Sequence, residues 1–473
     1  MIPEPRVIRL DDIPAIIAEK FKGRDSITCY VGSNAATPTA SLEALTAAIE
    51  AGRPRLPFMR MVHLLLQGTV PYVKPGLQDR VMAYSIFSAE SLRKAANEGR
   101  AYYLPCTLAN LGSLLDAGRP FEPDLVIMKV CRQEHTGEFS LGLTVEGLHI
   151  ATDRAALVIA ELDQSMPFTA GQSVVDSQFI HCLVEDDRVK PVYEFRAPDF
   201  DNVPARQKRI GEIITEHFIR DGVTLQVGIG KIPDAVVSMI KNAAYKDLGV
   251  HTELYSDGLM HLQKMGIVTN RKKKLDFGYS TTSLVMGSRE LYDYVHMRAG
   301  VHMRPCSYTN STEAIRQNAP FVAINTAIGV DLFGNVWADY IDARKYYSGV
   351  GGQPDFLRAL NDPATGTPII AVKSVTDKGD SKIARVHPPG VSLTASAYDG
   401  AVIVTEYGIA DLRGLTAGGK ALAIASIAHP SYREGLLRYV YDDPLFTKPR
   451  DFTLGDTPQG VTLYRGSTKL PGE

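Results

Sequence analysis

The stretch GVHTELYSDG, residues 249–258, decides how the chain can fold and where it can react. Side chains alternate along a β-strand, so a strand here would place four polar groups on one face. These groups are His251, Glu253, Tyr255 and Asp257. Strands buried on both faces are almost wholly apolar, so the pattern indicates either an edge strand that meets water or a ligand site. Ligands of open α/β sheets bind at the carboxyl ends of strands, which makes Glu253 a candidate functional carboxylate.

Apolar strand-like segments alternate with helical patterns on both sides of this stretch. In the amino-terminal half, the strand pattern Ser26–Val31 leads through the loop Gly32-Ser33-Asn34 into the helical pattern Ala40–Ala51. Similar units follow, and the alternation restarts with a helical pattern at Arg206–Asp221. Alternation of this kind predicts the α/β class with largely parallel sheets.

The length of 473 residues exceeds what one hydrophobic core usually organises. Residues 189–203 contain two prolines and show little periodicity, which is typical of a linker. We therefore predict two similar open-sheet α/β domains, at residues 1–190 and 205–473, joined by a linker at 191–204.

Composition excludes several functional classes. A formal net charge of -2 gives no overall attraction to nucleic acid or to anionic lipid. The five cysteines are scattered and form no CxxC pair, which indicates reduced thiols and argues against a structural zinc. The histidines show no metal-ligand spacing, and the amino terminus lacks the apolar core of a signal peptide. We expect a cytoplasmic protein without a metal, a nucleic-acid partner or a membrane segment.

Two glycine-rich loops are candidate binding elements in the second half. Gly228-Ile229-Gly230 lies between a predicted strand and a predicted helix, where backbone N–H groups attract phosphate. Pro233 stands where a dinucleotide fingerprint needs glycine, and Lys231 does not complete a Walker loop. A phosphate site and a plain tight turn remain open alternatives for this loop.

The second loop, residues 349–353, contains three glycines in four positions ahead of a predicted helix. Glycine lets the backbone approach a reacting centre and direct N–H groups at it, as an oxyanion hole requires. The alternative is a flexible loop with no ligand.

Taken together, these motifs resemble the acetyl-CoA hydrolase/transferase group of coenzyme A transferases, from about residue 26 to about residue 445. The matching segments are Gly32-Ser33-Asn34, Gly228 to Pro233, His251 to Gly258, Tyr308-Thr309-Asn310, Gly351 to Phe356, Thr405 to Gly408 and Ile427 to Pro430. The 4-hydroxybutyrate, butyrate and itaconate CoA-transferases resemble the chain most. The resemblance implies a CoA-transferase fold with its active site between the two domains.

The resemblance also implies residue roles. Glu253 would become a glutamyl-CoA thioester, with Asn310 and Glu406 as auxiliary catalytic residues and with Gly349 and Gly351 as oxyanion contacts. Ser33 and Asn34 would face the acyl group. The residues expected to contact CoA are Gly228, Ile229, Gly230, Lys231, Ile232, Asn325, Gly349, Gly352 and Lys378.

The expected activity is that of an acyl-CoA:carboxylate CoA-transferase working by a ping-pong mechanism. The resemblance implies succinyl-CoA or acetyl-CoA as donor and itaconate, 4-hydroxybutyrate or butyrate as acceptor. CoA would be a substrate, no cofactor would be bound permanently, and the protein would form a homodimer or larger homo-oligomer. An acyl-CoA hydrolase that uses the same glutamate and a non-catalytic CoA-binding sensor remain the alternatives.

Overall fold

The structure is a computed structural model that describes residues 4–443, 446 and 456–464. Its main feature is a pair of open β-sheets, one in each half of the chain, with helices packed against them. The α/β class with two open sheets is therefore confirmed. None of the helices in these residues combines the length and apolar character needed to cross a bilayer.

The first half alternates strands with helices. Its elements are β1 (Arg6–Ile8), α1 (Ile13–Lys20), β2 (Ser26–Val31), α2 (Thr39–Ala51), β3 (Phe58–His63), β4 (Val81–Ser85), α3 (Glu90–Asn97), β5 (Ala101–Tyr103), α4 (Leu111–Leu115), β6 (Leu125–Arg132), β7 (Phe139–Ser140), α5 (Leu148–Arg154), β8 (Leu157–Leu162), β9 (Ala170–Gly171), β10 (Val174–Val175) and β11 (Cys182–Val184).

The sheet of this half has the strand order β1-β11-β8-β6-β2-β3-β4-β5, and its neighbouring strands run parallel. Strand β2 shows why its sequence forms a central strand. Ile27, Cys29 and Val31 pack into one apolar cluster, whereas Tyr30 packs into another on the opposite face. Burial on both faces explains its nearly unbroken apolar sequence.

The second half repeats the alternation with shorter strands. Its elements are α6 (Ala205–Phe218), β12 (Thr224–Val227), α7 (Lys231–Lys241), β13 (Gly249–Val250), β14 (Leu254–Tyr255), α8 (Asp257–Lys264), β15 (Ser280–Thr282), β16 (Leu284–Val285), α9 (Arg289–Val295), β17 (Val301–Met303), α10 (Cys306–Thr309), α11 (Thr312–Gln317), β18 (Phe321–Thr326), β19 (Gly329–Asp331), β20 (Val336–Trp337), β21 (Tyr340–Asp342), β22 (Lys345–Tyr346), α12 (Gln353–Ala359), β23 (Gly366–Ala371), β24 (Ile383–Ala384), β25 (Val402–Thr405), β26 (Gly408–Asp411), α13 (Ala417–Ser426), α14 (Pro430–Asp442) and β27 (Val461–Leu463).

The main sheet of this half has the order β13-β12-β18-β23-β25-β26-β27. Strands β13 to β25 along this path are parallel, and β26 and β27 continue it in antiparallel pairing. The carboxyl ends of β12 and β18 therefore meet at one edge, where the chain turns into the Gly228 loop.

The two halves share one apolar core. A single cluster of buried side chains includes Tyr30 and Leu64 from the first half and Val227 and Val404 from the second. Strand β9 leaves its own half and pairs with β17. This packing places a common crevice between the halves. The domain limits 1–190, 191–204 and 205–473 remain a prediction, and part of the last range lies outside the described residues.

The single strand expected over residues 249–258 is wrong. Strand β13 ends at Val250, because the chain then leaves β12 and pairs beside Thr281 and β16. Helix α8 begins at Asp257, whose carboxylate accepts a hydrogen bond from Ser288 N at 3.1 Å. Glu253 thus lies at the crossover between two strand pairs, and the four polar side chains do not share one face.

Candidate active site

The backbone around Glu253 is held by the segment that runs from β15 to β16. Thr252 N donates to Thr281 O at 3.0 Å, and the carbonyl of Glu253 accepts a hydrogen bond from Leu284 N at 2.9 Å. The Thr282 hydroxyl donates to the same carbonyl at 3.2 Å. The Glu253 side chain is partly buried, so its carboxylate is fixed in position and still open to a ligand.

Asn310 is the direct partner of this carboxylate. Its Nδ2 donates to Glu253 Oε2 at 2.9 Å and lies 3.4 Å from Asp355 Oδ2. Its Oδ1 accepts a hydrogen bond from the Thr309 hydroxyl at 2.8 Å, which fixes the orientation of the amide. Asn310 is fully buried. One amide group therefore holds two carboxylates from different segments.

The two carboxylates have raised pKa values. Burial raises the pKa of Glu253 to about 7, the Asn310 hydrogen bond opposes the rise, and the charge of Asp355 adds to it. Burial likewise raises the pKa of Asp355 to about 6, although Ala109 N donates to this carboxylate at 3.0 Å. A carboxylate in this state is weakly solvated and near the pKa suited to chemistry at neutral pH.

Gly352 lies against the Glu253–Asn310 pair. A Cβ atom at this position would lie 1.8 Å from Glu253 Oε2 and 2.1 Å from Asn310 Nδ2. Glycine is therefore required sterically, because any side chain would displace the carboxylate or its partner. The resemblance assigned Gly352 to CoA contact, whereas the structure packs it on the carboxylate itself.

His251 holds the backbone next to Asn310 and does not act as a base. Its Nε2 donates to Thr309 O at 2.8 Å, and its Nδ1 accepts a hydrogen bond from Asn318 Nδ2 at 3.3 Å. Burial and the nearby Lys273 lower the pKa of His251 to about 3, so the ring is neutral. Because Thr309 precedes Asn310, this ring fixes the position of the amide that holds Glu253.

A cavity of about 120 Å³ opens beside the carboxylate, between the two sheets. It brings together several residues that the sequence had singled out separately. These are Asn34, Gly228, Ile229, Glu253 and Gly351. The rest of its wall is apolar and comes from both halves, as with Leu64, Phe87 and Met286. Such a cavity suits a short acyl group better than a charged one.

A second cavity of about 220 Å³ shares Ile229 with the first. Its wall includes the start of α7, where Gly230 precedes the helix with a φ of 114° that favours glycine. Three lysines line it, namely Lys231, Lys373 and Lys382. Burial lowers the pKa of Lys382 to about 8. A cationic wall beside a helix start is suited to a phosphate group.

Two predicted contacts with substrate lie elsewhere. The Ser33 hydroxyl donates to Glu146 Oε2 at 2.7 Å, and Ser33 is fully buried outside the lining of the acyl-sized cavity. Gly349 packs against the first half, where an added Cβ would lie 2.4 Å from Ile86 O. Both residues hold neighbouring segments in place, and their direct contact with the substrate stays a prediction.

Three more of the predicted residues line neither cavity. Glu406 accepts hydrogen bonds from Ser374 N at 2.9 Å and from Ser374 Oγ at 2.8 Å, and these bonds place it apart from the Glu253–Asn310–Asp355 cluster. Asn325 Nδ2 donates to Gln226 Oε1 at 3.1 Å, at the end of β18. Lys378 is exposed on a turn and does not line either cavity.

Sequence reasoning gave no role to several residues that the structure brings to the site. Asp355 lies in the first turn of the helix that follows the glycine loop. A carboxylate at a helix start is usually only a capping group. Lys373 and Lys382 come from a segment without a recognisable motif. Met286 and Phe87 have ordinary apolar patterns, so only the fold shows that they line a cavity.

No set of three His, Cys, Asp or Glu side chains in the described part of the chain is placed to hold a metal ion.

Family models match most of the chain. The acetyl-CoA hydrolase/transferase N-terminal domain matches residues 21–194, and the C-terminal domain of the same family matches residues 287–440. Glu253 lies in the segment between the two matches.

Individual proteins show the same likeness. The chain is 37% identical to the 4-hydroxybutyrate coenzyme A transferase of Clostridium kluyveri, over 80% of this chain and 86% of that protein. It is 35% identical to the succinyl-CoA:acetate/propanoyl-CoA:succinate CoA transferase of Fasciola hepatica, over 89% and 85%. The solved structure of a 4-hydroxybutyrate CoA-transferase from Porphyromonas gingivalis superposes with a TM-score of 0.72 at 28% identity, covering 92% of this chain and 97% of that one.

Replacing Glu253 by Gln is expected to stabilise the protein at pH 8. The folded-state pKa of about 7 lies above the ordinary value of 4.5, so the folded protein loses stability as pH rises between these values. Glutamine removes that loss and still accepts the Asn310 hydrogen bond. We expect a gain of about 1–3 kcal/mol in the free energy of unfolding at pH 8, from urea denaturation.

At pH 5 the gain should be much smaller, because only the first part of the pH range between the unfolded pKa of 4.5 and the folded pKa of about 7 has been crossed, so little of the loss has accumulated. The matched control is Glu313→Gln, which changes an exposed glutamate on α11. Equal stability of Glu253→Gln and the wild type at both pH values would show that the carboxylate is not destabilised by burial.

Proposed function

The chain belongs to the acetyl-CoA hydrolase/transferase family and is a CoA-transferase, and from this premise we propose that CoA passes between two carboxylic acids through Glu253. One observation carries the proposal. A carboxylate with a pKa raised to about 7 borders an acyl-sized cavity and is held by an amide at 2.9 Å.

The proposed reaction is a double displacement. A Glu253 carboxylate oxygen attacks the thioester carbonyl of the donor acyl-CoA, the C–S bond breaks, and CoA leaves as thiolate. The thiolate then attacks the glutamyl carbonyl of the resulting mixed anhydride. The donor acid leaves as a carboxylate, and Glu253 is left as a CoA thioester.

The second half-reaction reverses these steps with another acid. The acceptor carboxylate attacks the glutamyl thioester carbonyl and releases the thiolate, which attacks the acceptor carbonyl of the new anhydride. Acyl-CoA is formed and the Glu253 carboxylate is restored. Over each half-reaction one carboxylate replaces another and the released thiolate is taken up again, so no proton is consumed and each half-reaction stays near energetic balance.

Burial supports this chemistry in two ways. A carboxylate that is weakly solvated needs less desolvation before it attacks a carbonyl. The apolar wall also excludes water, which would hydrolyse both the anhydride and the glutamyl thioester. Asn310 holds the attacking oxygen in place, and the main chain at Gly351 borders the cavity where the tetrahedral oxyanion would form.

We assign the second cavity to the body of CoA. Its lysines, Lys231, Lys373 and Lys382, supply positive charge for phosphate groups, and Ile229 is shared with the cavity beside Glu253. A thioester at Glu253 could thus be bound together with its distant phosphates. Binding energy from that remote part of CoA would lower the barrier at the thioester. These lysines replace Lys378 in this role.

The range of substrates follows from the family and stays part of the proposal. The candidates that the family resemblance implies are acetyl-CoA and succinyl-CoA as donors and short acids of the butyrate, 4-hydroxybutyrate or itaconate type as acceptors. The homo-oligomeric state and the cytoplasmic location implied by the resemblance remain predictions.

Replacing Glu253 by Gln is expected to abolish transfer and to spare CoA binding. Glutamine preserves shape and the Asn310 contact but is not a nucleophile, so the transfer rate should fall by about a thousandfold or more. The measurement is acyl-CoA formation from acetyl-CoA and butyrate, with CoA affinity from calorimetry. Glu313→Gln serves as the control and should keep the wild-type rate.

The same assay without an acceptor acid distinguishes transfer from hydrolysis. A transferase should release free CoA far more slowly than it transfers it. Full-rate release of CoA without acceptor would favour the hydrolase alternative, and wild-type transfer by Glu253→Gln would remove Glu253 from the mechanism.

Replacing Gly352 by Ala is expected to lower the transfer rate by about a hundredfold, because displacements of about 1 Å cost that much in a positioned reaction. The added methyl group would overlap Glu253 Oε2 and force the carboxylate or Asn310 to move. The melting temperature should change little, because the carboxylate is the end of a flexible side chain.

Gly435→Ala is the matched control, since a Cβ at that helical position meets no atom within 4 Å. The steric argument would be wrong if Gly352→Ala transferred CoA at the rate of the Gly435→Ala enzyme.

A further inference from the structure

The cavity beside Glu253 offers no positive charge to an acyl group. Its apolar wall includes Leu64, Leu65, Phe87, Leu108, Leu284 and Met286. Asn34 and Glu253 contribute the polar side chains among the lining residues that the structure describes, and none of those residues is Lys, Arg or His. An acyl end that enters this space therefore meets hydrocarbon and one neutral amide.

Cationic side chains near the Glu253 segment are already engaged elsewhere. Lys273 Nζ donates to Val250 O at 2.9 Å, to Tyr279 O at 2.7 Å and to Thr281 Oγ1 at 2.9 Å. Arg304 forms an ion pair with Asp276 at 3.0 Å. Neither cation lines the cavity. A second carboxylate on the substrate would thus find no free partner among these groups.

A charged acyl end would also be close to another negative charge. Glu253 must be ionised to attack a thioester, and a carboxylate in the same small cavity would repel it. An unpaired charge in an apolar space carries a large desolvation cost as well. Repulsion acts when Glu253 attacks the donor, desolvation acts in both half-reactions, and each disfavours acids with a second carboxylate.

We propose that the enzyme selects short monocarboxylic acids with an uncharged acyl end and discriminates against dicarboxylic acids such as succinate and itaconate. The inference rests on the proposed reaction at Glu253, because in a double displacement donor and acceptor acyl groups occupy the same cavity in turn. It narrows the substrate range to acids of the acetate, butyrate and 4-hydroxybutyrate type, on donor and acceptor sides alike.

Butyrate and succinate provide the direct test, because both have four carbons and differ in a terminal methyl or carboxylate group. With acetyl-CoA as donor, kcat/KM should be higher for butyrate by about a hundredfold or more, which corresponds to roughly 2.7 kcal/mol. Lowering the pH should narrow this ratio, because protonation neutralises the distal carboxyl of succinate. Glu253 is common to both assays, so its titration cancels in the ratio.

A variant enzyme with a positive charge in the cavity wall tests the same selectivity. Met286 lies in the cavity wall on a partly buried, unbranched side chain, so Met286→Lys would place an ammonium group near the acyl end. We expect the butyrate-to-succinate ratio to fall at least about tenfold, since an opposite charge pairs with the distal carboxylate. Met286→Leu should keep the wild-type preference.

The outcomes separate this inference from the proposed reaction. Succinate turnover within about threefold of butyrate, with Glu253→Gln inactive, would overturn the selectivity and leave the reaction standing. An unchanged ratio in a folded Met286→Lys enzyme would also count against the selectivity. Failure to transfer CoA to any of these acids, with wild-type CoA binding, would overturn the proposed function and the inference with it.

Discussion

The hydrogen bond from Asn310 to Glu253 is the interaction on which the rest of the site depends. It favours the charged carboxylate in a crevice where burial favours the neutral acid, and burial is the larger effect, because the pKa is raised to about 7. Thr309 and His251 fix the amide, and the absence of a side chain at Gly352 leaves the space that the carboxylate and the amide occupy. A reactive group is thus positioned by packing rather than by a network of charges.

Both halves of the chain are needed to complete this arrangement. The carboxylate, its amide and the Gly228 loop come from the second half, whereas Asn34, Leu64 and Phe87 close the cavity from the first. The shared apolar core and the pairing of β9 with β17 keep the halves in register. In the proposed reaction the acyl end would meet residues of both halves, and the body of CoA would meet the second.

Sequence patterns predicted the α/β class and the two open sheets, because apolar alternation and glycine-rich turns are local properties. The role of Glu253 came from the family resemblance and remains a proposal. The patterns did not predict that β13 would end at Val250, since that break arises from pairing with Thr281, which is distant in the sequence. For the same reason Asp355, Lys373 and Lys382 were given no role, whereas Lys231 was predicted and lines the second cavity. Lys378 was also predicted and does not line either cavity. Such details depend on contacts between residues that are distant in the sequence, and the periodicity of apolar residues does not indicate those contacts.

The most direct test of the proposed mechanism is to identify the residue that carries the covalent intermediate. The enzyme would be incubated with acyl-CoA, reduced with borohydride, and digested for peptide mass mapping. Reduction of a glutamyl thioester leaves a stable alcohol, so the account predicts a modified side chain at Glu253 in the wild type, with no such mark in the Glu253→Gln enzyme. Modification at any other residue, or transfer without a modified residue, would contradict it.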